Sequence, residues 1–192
     1  MINNYFNIPV YCKYDAFQQH EHRQLYQSFI NLRDKNLLKN FNGTSLLSYN
    51  TNINSVLDFF SLNHIKEKIR IYCNDYLINC GGTFSSVEVD SDWLIGYNRN
   101  EYQGEHNHGY NDNYISGVLY ACVPVNSSPI IFTSPNPYSR HLTIRKSEAI
   151  HYNPEEGMLL LFPSFLNHKV MPNTNITDNS LRLVLSFNAK II

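Results

Sequence analysis

The sequence predicts an α+β chain, mainly β, in which a helical first half buttresses a jelly-roll barrel formed by the second half. Three observations carry this expectation. Before Gly81 the apolar residues recur at helical spacing; after Thr83 the chain turns to short β-rich runs parted by Asn, Gly, Pro and Ser clusters. Its 192 residues, 43% hydrophobic and 14% aromatic, suffice for one sizeable core and are too few for two typical catalytic domains. One domain over 1–192 is therefore expected, with 1–82 as mostly helical support and 83–192 as the barrel.

From about Asp15 to Leu38, Phe17, Leu25, Phe29 and Leu32 share a helix face. After the turn-rich stretch Asn40–Asn52, a second helix is expected from Asn54 or Ser55, either of which suits an N-cap. Its series Leu62, Ile65, Ile69, Tyr72, Tyr76 steps by three and four, and Gly81-Gly82 ends it. Expected strands are Phe84–Val89, Asp92–Asn98, Tyr114–Val123, Ile130–Thr133, His141–Arg145, Gly157–Pro163, His168–Met171 and Leu181–Asn188. Helices followed by strands point to helices packed on one face of a β structure.

The composition excludes several classes. A net charge of −1 gives no basic excess for nucleic acid and no like-charge run for a membrane surface. The longest wholly apolar stretch in a segment interior, Met158–Phe162, is far short of a membrane span. Cys12, Cys73, Cys80 and Cys122 form no CxxC pair, and the first residues lack the basic-then-apolar order of a secretory leader. A reducing, cytoplasmic setting is expected.

Eight histidines are present. His20, His22 and His64 fall on expected helices, with His20 and His22 pointing to different sides; His141 and His151 read as strand-surface residues. His106 and His108 differ, because residues i and i+2 of a strand point the same way, roughly 7 Å apart, and two imidazoles so placed converge on one ion. His168, beyond the strand Gly157–Pro163, supplies a third ligand from a distant strand, giving a site on one face of a metal with the other face open. Spacing alone leaves two readings: a metal centre, or histidines that decorate a polar, Asn-rich loop.

The surrounding residues add an ordered set: His106-x-His108, then Ser116-Gly117-Val118-x-Tyr120, then Phe162-Pro163-Ser164 with His168-x-Val170, then Arg182-x-x-x-Ser186-Phe187-Asn188. This set, from Trp93 to Asn188, resembles the iron(II)- and 2-oxoglutarate-dependent oxygenases, above all their short stand-alone members. Asn7-Ile8-Pro9-Val10 also resembles the opening strand of that family. The resemblance implies a double-stranded β-helix, cupin-like, and a dioxygenase that couples oxidation of 2-oxoglutarate to succinate and CO2 with hydroxylation of a second substrate. It implies that His106 and His168 are the first and last ligands to Fe(II), and that Arg182 grips the distal carboxylate of 2-oxoglutarate through its guanidinium fork. Tyr120 takes either a place beside that carboxylate or a place in the core, and Ser116 and Val118 share its strand parity.

Two departures stand out. His108 occupies the middle position, where most of the family has an acid, and Asp112 is the nearby carboxylate that could serve in its place. Val184 stands where many relatives place a serine. Phe132, Leu160, Phe162 and Phe187 are expected to line the barrel, and the loops Asn98–Glu105, Gly109–Asn113, Ser134–Ser139 and Asn173–Asn179 to rim its mouth. O2 is the implied co-reactant, the prime substrate is undefined, and many relatives form homodimers, though no patch in the sequence marks an interface. Two rivals remain: a three-histidine zinc hydrolase or hydratase, which gives Arg182 no role, and a cupin-like binding protein without turnover.

Overall fold

The central strands are buried along both faces, and this double burial dictates the architecture. The computed structural model describes residues 8–40, 45–48, 53–82, 86–109, 114–135 and 149–192. In chain order it contains β1 (Tyr11–Lys13), α1 (Gln19–Asp34), β2 (Lys39–Asn40), β3 (Leu46–Leu47), α2 (Val56–Phe59), α3 (Asn63–Asn79), β4 (Val87–Tyr97), β5 (Gln103–His106), β6 (Tyr114–Cys122), β7 (Ile130–Thr133), β8 (Ala149–Tyr152), β9 (Leu159–Pro163), β10 (His168–Val170) and β11 (Arg182–Ile191). A large sheet has the order β1-β9-β6-β11-β4-β3-β2, and a smaller one β5-β10-β7-β8. The paired strands are antiparallel throughout. The arrangement is a double-stranded β-helix with helices on the outer face of its large sheet.

Two apolar layers result. Leu119, Leu159, Leu161, Leu183, Leu185 and Phe187 pack outward with Leu25, Phe29, Ile65 and Ile69 of the helices. Their sequence neighbours Tyr120, Leu160, Phe162 and Val184 point inward and meet Ile130, Phe132 and Val170 of the small sheet. Covered on both faces, these strands read as continuous apolar runs rather than alternating ones. Of the four expected lining residues, Phe132, Leu160 and Phe162 face inward, whereas Phe187 belongs to the helix-side layer, because it has the opposite parity to Arg182 on β11. At Gly117, opposite Phe187, a Cβ would overlap the Phe187 ring, and this close approach requires glycine.

The remaining differences from expectation have local causes. Strand β4 is one continuous element, where two were expected; the register slip opposite Asn188/Ala189 switches its inward parity from one end to the other. The second helix breaks into α2 and α3, since Ser61 adopts a left-handed φ of 55°. Ser55 caps α2, accepting the Asp58 amide, and the buried Asp92 carboxylate accepts both the Leu57 amide and the Ser55 hydroxyl. The stretch expected as turns, with Lys39 before it, supplies the short strands β3 and β2 at one end of the large sheet, and β8 was not anticipated at all. The opening strand falls at Tyr11–Lys13, beyond the Ile8–Val10 segment. The expected strand His141–Arg145 lies outside the described residues. No helix among the described residues is long and apolar enough to cross a membrane.

Candidate metal and cosubstrate centre

His106 ends β5 and His168 begins β10, and the two are direct partners across that antiparallel pair. Cross-strand partners place their side chains side by side, so the ladder itself brings the two rings to 4.3 Å between centroids. His108 lies two residues past the end of β5, where its amide donates to the Ser164 carbonyl at 2.9 Å. Its ring centroid is 5.4 Å from that of His106 and 5.2 Å from that of His168. One nitrogen from each of the three histidines lies within 4.8 Å of the other two.

The hydrogen bonds settle which nitrogen faces inward. His106 Nδ1 lies 2.9 Å from the Gly104 carbonyl and His168 Nδ1 lies 2.9 Å from the Leu166 carbonyl. A carbonyl oxygen only accepts, so in both rings Nδ1 carries a proton, and in the neutral ring Nε2 keeps its lone pair. His108 Nδ1 donates to Asn188 Oδ1 at 2.7 Å. Ser116 ties that acceptor down, donating to the same oxygen at 2.8 Å and lying 2.8 Å from the Ser164 hydroxyl. Burial pushes the His108 pKa down, with the Asn188 bond opposing; burial, with His106 next, pushes that of His168 down to about 3. At neutral pH both are neutral imidazoles with lone pairs free, as a divalent metal requires. The donor set therefore fits a metal of the Fe(II) or Zn(II) type.

Arg182 opens β11 on the inward parity, and its side chain lines the same pocket as the three histidines. It is 1% exposed, and no carboxylate among the described residues pairs with it. One guanidinium nitrogen donates to the Ser128 carbonyl at 2.5 Å and another approaches the Tyr120 hydroxyl at 3.5 Å, while Nε has no partner. The rings of Tyr97 and Tyr120 lie 5.4 and 5.2 Å from its central carbon. Burial raises the pKa of both phenols, so they stay protonated beside the cation, which pulls the other way.

Of the residues singled out in the sequence, His106, His108, His168, Arg182, Tyr120 and Val118 line one pocket. Ser116 lies behind it, against His108. Val184 lines it too, and so does Ser186, one inward step further along β11. Asp112 lies outside the described residues. His64 is exposed and bonds Gln24, His20 and His151 are exposed, and His22 is buried beside Glu156. His20, Glu21 and His64 also approach one another, but the Glu21 carboxylate is already taken by Lys68 and the Gln18 amide. Sequence reasoning missed Tyr97 and Trp93 in the pocket lining and placed Gln103 only within the expected rim loop Asn98–Glu105, part of which is the strand β5. Inward strand parity on β4 was the signal for Tyr97 and Trp93. Gln103 sits on a strand without apolar alternation and had none.

Comparison with known proteins agrees with this geometry. A protein-family model described as "Putative 2OG-Fe(II) oxygenase" matches residues 91–188, half of the chain. No curated protein sequence matches. Among solved structures, the chain is similar to an oxidoreductase of the 2OG-Fe(II) oxygenase family from Burkholderia pseudomallei, with TM-score 0.66 and 11% identity over 94% of this chain and 84% of the other. It is also similar to HygX from Streptomyces hygroscopicus, determined with nickel and 2-oxoglutarate bound (TM-score 0.65, 10% identity, 95% and 83% covered). A Pseudomonas putida prolyl-4-hydroxylase gives a TM-score of 0.59 and 13% identity over 96% and 94%. At such identities these structures speak for the fold.

Proposed function

The chain belongs to the 2OG-Fe(II) oxygenase family, and from that premise we propose that His106, His108 and His168 hold its Fe(II) while Arg182 and Tyr120 hold 2-oxoglutarate. Iron and 2-oxoglutarate are the cofactor and cosubstrate of this oxygenase family. With them bound, the centre would supply the oxidising chemistry that converts O2, 2-oxoglutarate and a second substrate into succinate, CO2 and the hydroxylated substrate, one oxygen atom going to succinate and the other to the substrate.

The single observation that carries the assignment is the buried Arg182, which has no counter-charge among the described residues and faces the pocket of the three histidines. A cation so buried costs several kcal/mol unless an anion joins it. A planar guanidinium matches a carboxylate in a way a lysine would not. Tyr120 keeps its proton and offers a donor alongside. Ile95, Val118, Ile130, Val170 and Val184 wall the pocket with apolar surface and keep stray water from it, with Phe132, Leu160 and Phe162 packed in the same inner layer. The Nδ1 bonds of the histidines hold each ring with its lone pair inward. The three-histidine zinc reading gives Arg182 no role, and the presence of that residue in the metal pocket speaks against it.

The reading extends to a cytoplasmic enzyme that uses O2. The test is anaerobic titration of Fe(II)-loaded protein with 2-oxoglutarate. A visible charge-transfer band is expected, followed by succinate release on admission of O2. Folded protein that gives neither overturns the assignment.

A further inference from the structure

Gln103 opens β5 and lines the pocket, and two groups hold its amide in one orientation. The Tyr97 hydroxyl donates to Gln103 Oε1 at 2.7 Å, and Gln103 Nε2 lies 3.4 Å from His106 Nε2. The Tyr97 bond fixes Gln103 Oε1 away from His106 and turns the NH2 end toward it. A donor there is met by the Nε2 lone pair of a ring whose proton sits on Nδ1 against the Gly104 carbonyl. The polarity thus runs in one direction: Tyr97 O–H to Gln103 Oε1, Gln103 N–H to His106 Nε2, His106 N–H to Gly104 O. The Gln103 amide therefore stands on the lone pair that the metal takes in the proposed centre.

This arrangement has two consequences of opposite sign. Metal binding at His106 removes the acceptor of the Gln103 N–H and frees a half-buried donor beside the metal. Tyr97 still anchors the other end of the amide, so the donor stays in the pocket. The phenol ring of Tyr97 also lies 5.4 Å from the Arg182 guanidinium carbon, so the amide and the cation share one support within the pocket. A dicarboxylate with one end at Arg182 and the other at the metal meets a positive or hydrogen-donating group at each end.

Building on the function proposed above, we propose that Gln103 is a cosubstrate-binding residue: released from His106 by the metal, its amide donates to an oxygen of 2-oxoglutarate at the metal end. An unmade donor in a buried site costs free energy, and a bond to a charged oxygen is among the stronger kinds. The same residue competes weakly with the metal when 2-oxoglutarate is absent.

The test is calorimetric titration of full-length wild type and Gln103→Leu, first with Ni(II) alone and then, Ni(II)-loaded, with 2-oxoglutarate. The expected result for Q103L is Ni(II) affinity equal to or slightly above wild type, with 2-oxoglutarate affinity about tenfold weaker. Gln103→Glu, which keeps the shape but places a negative acceptor there, should bind Ni(II) more tightly and 2-oxoglutarate more weakly than Q103L. A purely structural role for Gln103 would lower the melting temperature and both affinities together, and that result overturns the proposal. Equal 2-oxoglutarate affinity in Q103L and wild type also overturns it, leaving the assignment of Arg182 and the histidines untouched. Wild-type protein that binds Ni(II) but no 2-oxoglutarate overturns both readings.

Discussion

Replacing Arg182 by methionine separates ligand binding from folding, because binding is lost while folding stability barely moves. The guanidinium is 1% exposed, with one firm bond to the Ser128 carbonyl and Nε unpartnered. Methionine of similar length removes a buried cation without a counter-charge, which favours folding, and strands the Ser128 carbonyl, which opposes it; the ligand-free protein should stay within about 1 kcal/mol of wild type. The bound state loses two charge-assisted hydrogen bonds. Taken at the low end, about 3 kcal/mol, this raises the Kd for 2-oxoglutarate roughly 150-fold. At a ligand concentration of about 100 times the wild-type Kd, wild type gains about 2.7 kcal/mol, or roughly 5–11 °C in Tm for a chain of this size, whereas the variant gains about 0.3 kcal/mol and roughly 1 °C. The assay is thermal unfolding of the Ni(II)-loaded proteins with and without 2-oxoglutarate. A variant whose Tm rises as much as wild type refutes the place given to Arg182.

Asn188→Ala removes the acceptor of the His108 Nδ1 proton and should weaken metal binding about 10–100-fold, as measured by chelator competition; unchanged affinity would remove His108 from the ligand set. Burial pushes the Glu21 carboxyl up, but the Gln18 amide and the Lys68 ammonium outweigh it and hold its pKa below the ordinary value. The sign follows: stability from Glu21 is present above the unfolded pKa, about 4.3, and is lost as pH falls through the lower folded value. Urea midpoints between pH 6 and 3 should therefore fall less steeply for Glu21→Gln than for wild type; parallel curves contradict this. Gly117→Ala drives a methyl into the Phe187 ring and should cost about 1–3 kcal/mol in chemical unfolding, with no loss showing that the ring moves freely aside.

The architecture was legible wherever burial leaves a periodic mark. The run Met158–Phe162 is apolar on both parities because β9 lies between the helices and the inner layer, and Gly81, with φ of 83°, stands just past the end of α3 as the glycine pair implied. Strands β2, β3 and β8 left no such mark; each is only two to four residues long, with exposed or half-exposed side chains. Phe187 was placed on the wrong face because its motif neighbours Arg182 and Ser186 face the pocket, and counting from Arg182 in twos passes it by. The three histidines and Arg182 were legible as a spaced set. The acceptors that hold the rings were not, since Gly104 and Leu166 act through backbone carbonyls that any residue type supplies.

The pocket's charge balance ties its unusual residues together. On the proposed reading, a divalent metal and the Arg182 guanidinium bring three positive charges to a pocket in which burial keeps His108 and His168 neutral, with no carboxylate among its described lining residues. The family's more usual acid in the middle position would remove one of them. Here His108 takes that position, and its own acceptor, the Asn188 amide, is neutral as well. So much charge out of water is costly until an anion arrives. A dianionic cosubstrate therefore binds the metal-loaded pocket more tightly than the empty one, and by linkage the metal is held more tightly with cosubstrate present, by the same factor.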